Sequence, residues 1–159
     1  MQNDCRLYLI TPPQIADLNA FAVDFERALG AGDVACVQLR LKTPDGGAVG
    51  DEAVLAAAAV LLPIAQKHEA AFLINDRPDL ALKAGADGVH VGQSDESCKK
   101  AREMLGEDRT VGVTCHDSKH LALIAGEAGA DYVAFGAFFP TTTKQAPTQA
   151  PLELLEWWR

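Results

Sequence analysis

Two aspartates, Asp76 and Asp95, stand in related settings along the chain. Asp76 follows the apolar run Phe72-Leu73-Ile74 and Asn75, and Asp95 follows Gly88-Val89-His90-Val91 by a few residues. Each run reads as a strand. The segment between them opens with Pro78, whose missing N–H costs nothing in a first helical turn, and reads as a short helix ended by Ala84-Gly85. Strands joined by a helix are usually parallel neighbours. Both carboxylates then lie past strand C-termini on one rim, and with strands ~4.8 Å apart they could share one hard cation. The competing reading is that each aspartate caps the following helix, and this stretch taken alone favours the cap.

Cations follow the same logic. In Val37-Gln38-Leu39-Arg40-Leu41-Lys42 the side chains alternate faces if Val34–Lys42 is a strand. Val37, Leu39 and Leu41 would face helices, and Gln38, Arg40 and Lys42 the opposite side. Unpaired buried charge is costly, so this polar set asks for an anion, or for acidic neighbours to pair with. Gly112-Val113-Thr114-Cys115-His116 brings a hydroxyl and a potential acid/base to another strand end. There, the alternative is that His116-Asp117 simply opens the next helix, with Asp117 as cap. His90, between two valines, reads first as a hydrogen-bonded core histidine, and His68 and His120 as surface residues on helices. After Phe135-Gly136, the loop Ala137–Lys144 places Thr141, Thr142 and Thr143 beside Lys144, donors suited to phosphate oxygens.

The elements that must position these groups alternate along the chain. Leu7–Thr11 is a continuous apolar run stopped by Pro12-Pro13, which predicts a strand buried on both faces. Ile15–Leu29 carries a helical apolar stripe at Leu18, Phe21, Ala22, Phe25 and Leu29. Further helices are expected over Asp51–Ala70, Asp95–Leu105, Asp117–Ala128 and from Leu152, and further strands over Arg109–Thr114 and Asp131–Gly136. A short pattern recurs at Ala31-Gly32-Asp33-Val34, Ala84–Val89 and Ala128–Val133: helix end, glycine, aspartate, strand. Six βα units of ~25 residues predict an α/β fold of the (β/α)8 TIM-barrel type with about six units present. A doubly wound sheet would more often begin with a glycine-rich turn.

At 159 residues, 48% hydrophobic and 23% charged, the chain has the length and composition of one globular domain. A net charge of −8 gives no electrostatic footprint for nucleic acid or an anionic membrane. No apolar run is long enough for a membrane span. The four cysteines show no C-x-x-C pair and read as free thiols of a reducing compartment, hence a cytoplasmic protein.

Five stretches, QLRLK at Gln38–Lys42, NDRPDLA at Asn75–Ala81, DGVHVGQSD at Asp87–Asp95, GVTCH at Gly112–His116 and FGAFFPTTTK at Phe135–Lys144, together resemble the thiamine phosphate synthase family. The resemblance implies a transferase that joins hydroxymethylpyrimidine pyrophosphate to a thiazole phosphate and releases pyrophosphate, with Mg2+. It implies that Asp76 and Asp95 are metal ligands. Gln38, Arg40, Lys42 and Asn75 would hold the pyrimidine pyrophosphate, with Thr114 and Lys144 adding pyrophosphate contacts. Thr141 and Thr143 would hold the thiazole phosphate. Arg40, Lys42, Thr114 and Lys144 would act on the leaving group in a dissociative reaction, in which the pyrophosphate departs before the thiazole nitrogen attacks.

The chain departs from the family pattern in three ways. Leu41 stands where an acidic residue is frequent, and Thr114 where serine is usual, its methyl adding bulk beside the pyrophosphate. The chain also stops before the family's seventh and eighth strands, with their phosphate-binding turns. An incomplete single domain over 1–159, self-association and weak synthase activity in isolation are therefore expected. Two other readings are a metal-independent thiazole tautomerase relying on His116, and an inactive barrel that only binds phosphate.

Overall fold

The computed structural model describes residues 5–141 and 148–158. Six strands and six helices alternate strictly: β1 Leu7–Ile10, α1 Leu18–Gly30, β2 Val34–Leu39, α2 Asp51–Lys67, β3 Ala71–Asn75, α3 Pro78–Ala84, β4 Gly88–Val91, α4 Cys98–Leu105, β5 Thr110–His116, α5 Lys119–Glu127, β6 Tyr132–Phe135 and α6 Glu153–Trp158. The strands neighbour one another in chain order, β1-β2-β3-β4-β5-β6. The chain groups into two compact units, Met1–Val89 and His90–Arg159, with the boundary inside β4.

In the first unit β1, β2 and β3 pair in parallel. Leu39, Ile74, Phe72 and Leu61 are wholly buried, as expected for strands with a helix laid against them. α1 begins at Asp17, whose carboxylate accepts from the Asn19 and Ala20 amides at 2.9 and 3.0 Å. It buries Phe25 and Leu29 of the predicted stripe. β1 departs from expectation: Leu7 and Ile10 are more than half exposed. Leu7 and Ile10 point to opposite faces of the strand, so neither face of β1 is fully covered among the described residues. His68 also departs, because it caps α2 from a partly buried position facing Glu26.

In the second unit β5 and β6 pair in parallel, with Gly112 opposite Tyr132. Val111, Cys115, Ala101 and Ala122 form its buried centre. α4 and α5 start later than predicted, because a serine caps each. Ser97 accepts from the Lys100 amide at 3.4 Å, so α4 opens at Cys98. Ser118 accepts from the Leu121 amide at 3.2 Å, so Asp117 is not the cap of α5.

The recurring glycine–aspartate turn has a common physical purpose in both units. The Asp87 carboxylate accepts from the Phe72 amide at 2.7 Å, and the Asp87 amide donates back to the Phe72 carbonyl at 2.9 Å. Asp131 makes the same exchange with Val111, at 2.7 and 2.8 Å. Gly85 and Gly129, at φ 69° and 90°, take the left-handed turn that brings each aspartate round. The earlier copy differs: the Asp33 carbonyl accepts from the Leu7 amide, and its carboxylate pairs with Arg6 at 2.8 Å.

Candidate active site

Val37 lines a cavity of about 290 Å³ with Phe21, Phe25 and Ala28 of α1. Gln38 therefore points to the opposite face of β2, as the alternation requires, and is 3% exposed. The strand ends at Leu39, three residues short of its predicted end. Beyond it the backbone leaves the ladder for the loop after β1. The Arg40 amide donates to the Thr11 hydroxyl at 3.0 Å, and the Lys42 amide to the Pro13 carbonyl at 2.8 Å. Strict alternation thus reaches Gln38 but not Arg40 and Lys42, whose placement rests on the Thr-Pro-Pro turn.

Lys42 then meets Asp76: Nζ lies 2.7 Å from Oδ2, with both side chains mostly buried. Asp76 directly follows Asn75, the last residue of β3, and adopts φ 66°. A left-handed conformation is uncommon for a residue with a Cβ, aspartate being among the better tolerated. Such outliers persist where the surroundings over-determine them, and Arg77 supplies that constraint. Its guanidinium reaches Asp51 at 2.9 and 3.2 Å and Asp79 at 2.8 and 2.7 Å, tying the starts of α2 and α3 together beside Asp76. These bonds hold the Asp79 carboxyl below its ordinary range and raise Arg77. Asp76 is not a helix cap, because α3 has Arg77 at its N-cap and no side-chain cap bond.

Asp95 is not the cap of α4 either, since Ser97 takes that place. Its Oδ2 accepts from the Gly92 amide at 2.7 Å. A Cβ on Gly92 would sit 2.8 Å from that oxygen, so a side chain there would push the Asp95 carboxylate away. The neighbouring Gln93 amide donates to the Thr114 carbonyl at 2.6 Å.

The side chains of Thr114, His90 and Tyr132 meet in a chain of hydrogen bonds. His90 is 8% exposed. Its Nε2 lies 2.7 Å from Thr114 Oγ1 and its Nδ1 2.8 Å from the Tyr132 hydroxyl. Gly112 makes room for the phenol: a Cβ there would fall 1.9 Å from Tyr132 Cζ. His116 closes β5 at φ 52°. Cys115 is no nucleophile near neutral pH, because burial pushes its thiol up to about 11. All four cysteines are free.

Thr141 is exposed, while Thr143 and Lys144 lie outside the described residues. Sequence reasoning did not single out Arg77, Tyr132, Gln93 or Thr11. Arg77 had a visible signal, an arginine two residues before Asp79 in NDRPD. Tyr132 had none, because its partners are 42 and 20 residues away in the chain.

Asp76 offers hard carboxylate oxygen, and a cation already faces it in the form of the Lys42 ammonium. No group of three or more His, Cys, Asp or Glu gathers for a metal among the described residues. A donor set of that kind suits Mg2+, which takes one or two carboxylates and completes its shell with water and substrate phosphates.

Parallel strands alternating with helices, with charged side chains past a strand C-terminal end, define an α/β protein. The chain belongs to the thiamine monophosphate synthase family, whose model matches residues 7–159. It is 60% identical to the thiamine-phosphate synthase of Rhodospirillum centenum over 156 residues, covering 98% of this chain and 72% of that protein. Against the thiamine-phosphate synthase of Hyphomonas neptunium it is 53% identical, covering 97% of this chain and 69% of the relative. The solved thiamine phosphate pyrophosphorylase from Pyrococcus furiosus superposes with a TM-score of 0.72 at 29% identity, over 87% of this chain and 63% of that one. The chain thus spans about seven tenths of these two bacterial relatives and less than two thirds of the Pyrococcus protein. No helix among the described residues is long and apolar enough to cross a membrane.

Proposed function

We propose that the protein is a magnesium-dependent transferase of thiamine biosynthesis. It joins hydroxymethylpyrimidine pyrophosphate to thiazole phosphate and releases pyrophosphate. The observation that carries this reading is the Lys42–Asp76 pair at 2.7 Å, formed between the QLRLK and NDRPD motifs just past β3. A cation and an anion held together there are the two charges that a metal–pyrophosphate ligand would exchange with. The identity to named synthases supports the same reaction. The reading carries with it a (β/α)8 fold type and a cytoplasmic enzyme acting on small molecules.

In this reading Asp76 and Asp95 offer carboxylates to Mg2+, which when bound supplies positive charge to the leaving phosphates. Gln38, Arg40, Lys42 and Asn75 hold the pyrimidine pyrophosphate, and Thr114 and Lys144 donate to its oxygens. Lys42, which faces Asp76 at 2.7 Å, would pair with phosphate oxygen where Asp76 holds the metal. Thr141 and Thr143 hold the thiazole phosphate. Fixed donors aimed at the departing group lower the barrier by stabilising charge as it develops, and holding the second reactant in line replaces a bimolecular encounter.

The test mixes both substrates with and without Mg2+ and follows pyrophosphate release together with thiamine phosphate formation. One-for-one formation that needs the metal and both substrates is expected. Conversion of a thiazole phosphate alone, without metal, would replace this reading by the isomerase one. Calorimetric binding of inorganic pyrophosphate, stronger with Mg2+ than without, gives a readout independent of turnover.

A further inference from the structure

We propose that Tyr132 and His90 form a positioning pair that fixes the Thr114 hydroxyl as a hydrogen-bond donor toward a phosphate oxygen. The inference rests on the reading of Thr114 as a pyrophosphate contact. It assigns a task to two residues which that reading leaves unused.

The chain of contacts is Tyr132 hydroxyl, His90 Nδ1, His90 Nε2, Thr114 Oγ1, with steps of 2.8 and 2.7 Å. A neutral imidazole carries one proton, so its two nitrogens play opposite roles. If the proton sat on Nδ1, Nε2 would accept the Thr114 proton. Thr114 would then turn only lone pairs outward and repel an anionic oxygen. If the proton sits on Nε2, His90 donates to Thr114 Oγ1, and the threonine proton is turned outward to donate.

The chemistry of the three groups selects the second arrangement. A phenol, with a pKa of ~10, is a far better donor than an aliphatic alcohol, and an imidazole nitrogen is its better acceptor. Tyr132 therefore donates to Nδ1 and leaves the proton on Nε2. The fold secures the geometry. Gly112 is the register partner of Tyr132, and its missing side chain is the space the phenol ring fills. Gln93 anchors the Thr114 carbonyl at 2.6 Å, so rotation of the hydroxyl is the freedom that the pair removes.

The test uses nitrogen-15 NMR of the imidazole and calorimetric binding of inorganic pyrophosphate with Mg2+. In the native protein the proton is expected on Nε2, with Nδ1 unprotonated. Thr114→Val should weaken pyrophosphate about tenfold, and Tyr132→Phe, which keeps the ring, about three- to tenfold, the range of single hydrogen bonds. Tyr132→Phe should add nothing in the Thr114→Val background, because both act through one hydroxyl. His90→Gln, which keeps a donor near the Nε2 position, should bind better than His90→Leu. A proton found on Nδ1 overturns the proposal. So does a Tyr132→Phe variant with native affinity while Thr114→Val is weakened, and that result leaves Thr114 as a phosphate contact. Native affinity in Thr114→Val overturns this proposal and the assignment of Thr114 together.

Discussion

The Lys42–Asp76 pair of the first unit and the Thr114 contacts of the second take different physical forms. Up to Val89 the groups are charged: an ammonium and a carboxylate at 2.7 Å, braced by an arginine that spans two helix starts. From His90 onward, the Tyr132 and Thr114 hydroxyls are linked by hydrogen bonds through a buried imidazole. Charges attract an anion over distance and tolerate small displacements, but salt weakens them. A neutral chain has little reach and depends on direction, since a hydrogen bond fades steeply with angle. Lys42 and Asp76 are thus suited to attraction, and the Thr114 hydroxyl to aim. Substitutions should separate the two.

The largest effect is expected at Asp76. Asp76→Asn keeps the shape and removes the charge, and should abolish most of the magnesium dependence of pyrophosphate binding, read by calorimetry with and without the metal. If both conditions behave as in the native protein, Asp76 serves only the backbone turn. Lys42→Met comes next. A hydrogen bond to a charged group contributes about 1.5–3 kcal/mol, so affinity for pyrophosphate should fall about 10- to 100-fold. The slope of affinity against salt should flatten as well, whereas Thr114→Val should leave that slope unchanged.

Gly112→Ala sharpens the comparison from the neutral side. The new methyl would overlap the Tyr132 ring, so the phenol must move from His90. Overpacking of this kind costs about 1–3 kcal/mol, to be seen as a lower denaturation midpoint. Pyrophosphate affinity should drop with no change in its salt slope. A variant of native stability and affinity would show that the ring has another place to go.

The smallest effect concerns the brace. Arg77 holds Asp79 below the ordinary aspartate range, so the folded protein binds that proton less tightly than the unfolded chain does. The stability this adds is present above the ordinary pKa of ~3.9 and is lost as pH falls through the lower folded value. Both side chains are partly exposed, so Arg77→Ala should cost only about 0.2–1 kcal/mol at neutral pH. Native and variant stabilities should converge as the pH falls below the lowered Asp79 range, and a gap that persists there would mean that Arg77 acts through packing instead.

The charged half was far more legible in the sequence than the neutral half. Alternating βα elements follow from apolar runs punctuated by glycine and proline, and β4 coincides with the run Gly88–Val91. The charged groups stood out because Arg40, Lys42 and Asp76 fall at or beyond the ends of apolar runs. Two aspects were hidden even there. β2 stops at Leu39, because the Thr11 hydroxyl and the Pro13 carbonyl draw off the next amides. Asp76 and Asp95 resembled helix caps until the structure gave those places to Arg77 and Ser97. In the neutral half, Tyr132 reads as one more apolar strand residue. Its role depends on the register that sets it against Gly112, which no local pattern encodes.

Lys42 and Asp76 are proposed above all to bind a metal–pyrophosphate unit. The most direct test is a calorimetric titration of inorganic pyrophosphate into the native protein and into Lys42→Met, with and without Mg2+. The account predicts tight binding in the native protein only with the metal, and binding weakened at least tenfold in the variant, in keeping with a charged hydrogen bond. Equal affinity in all four titrations would contradict it.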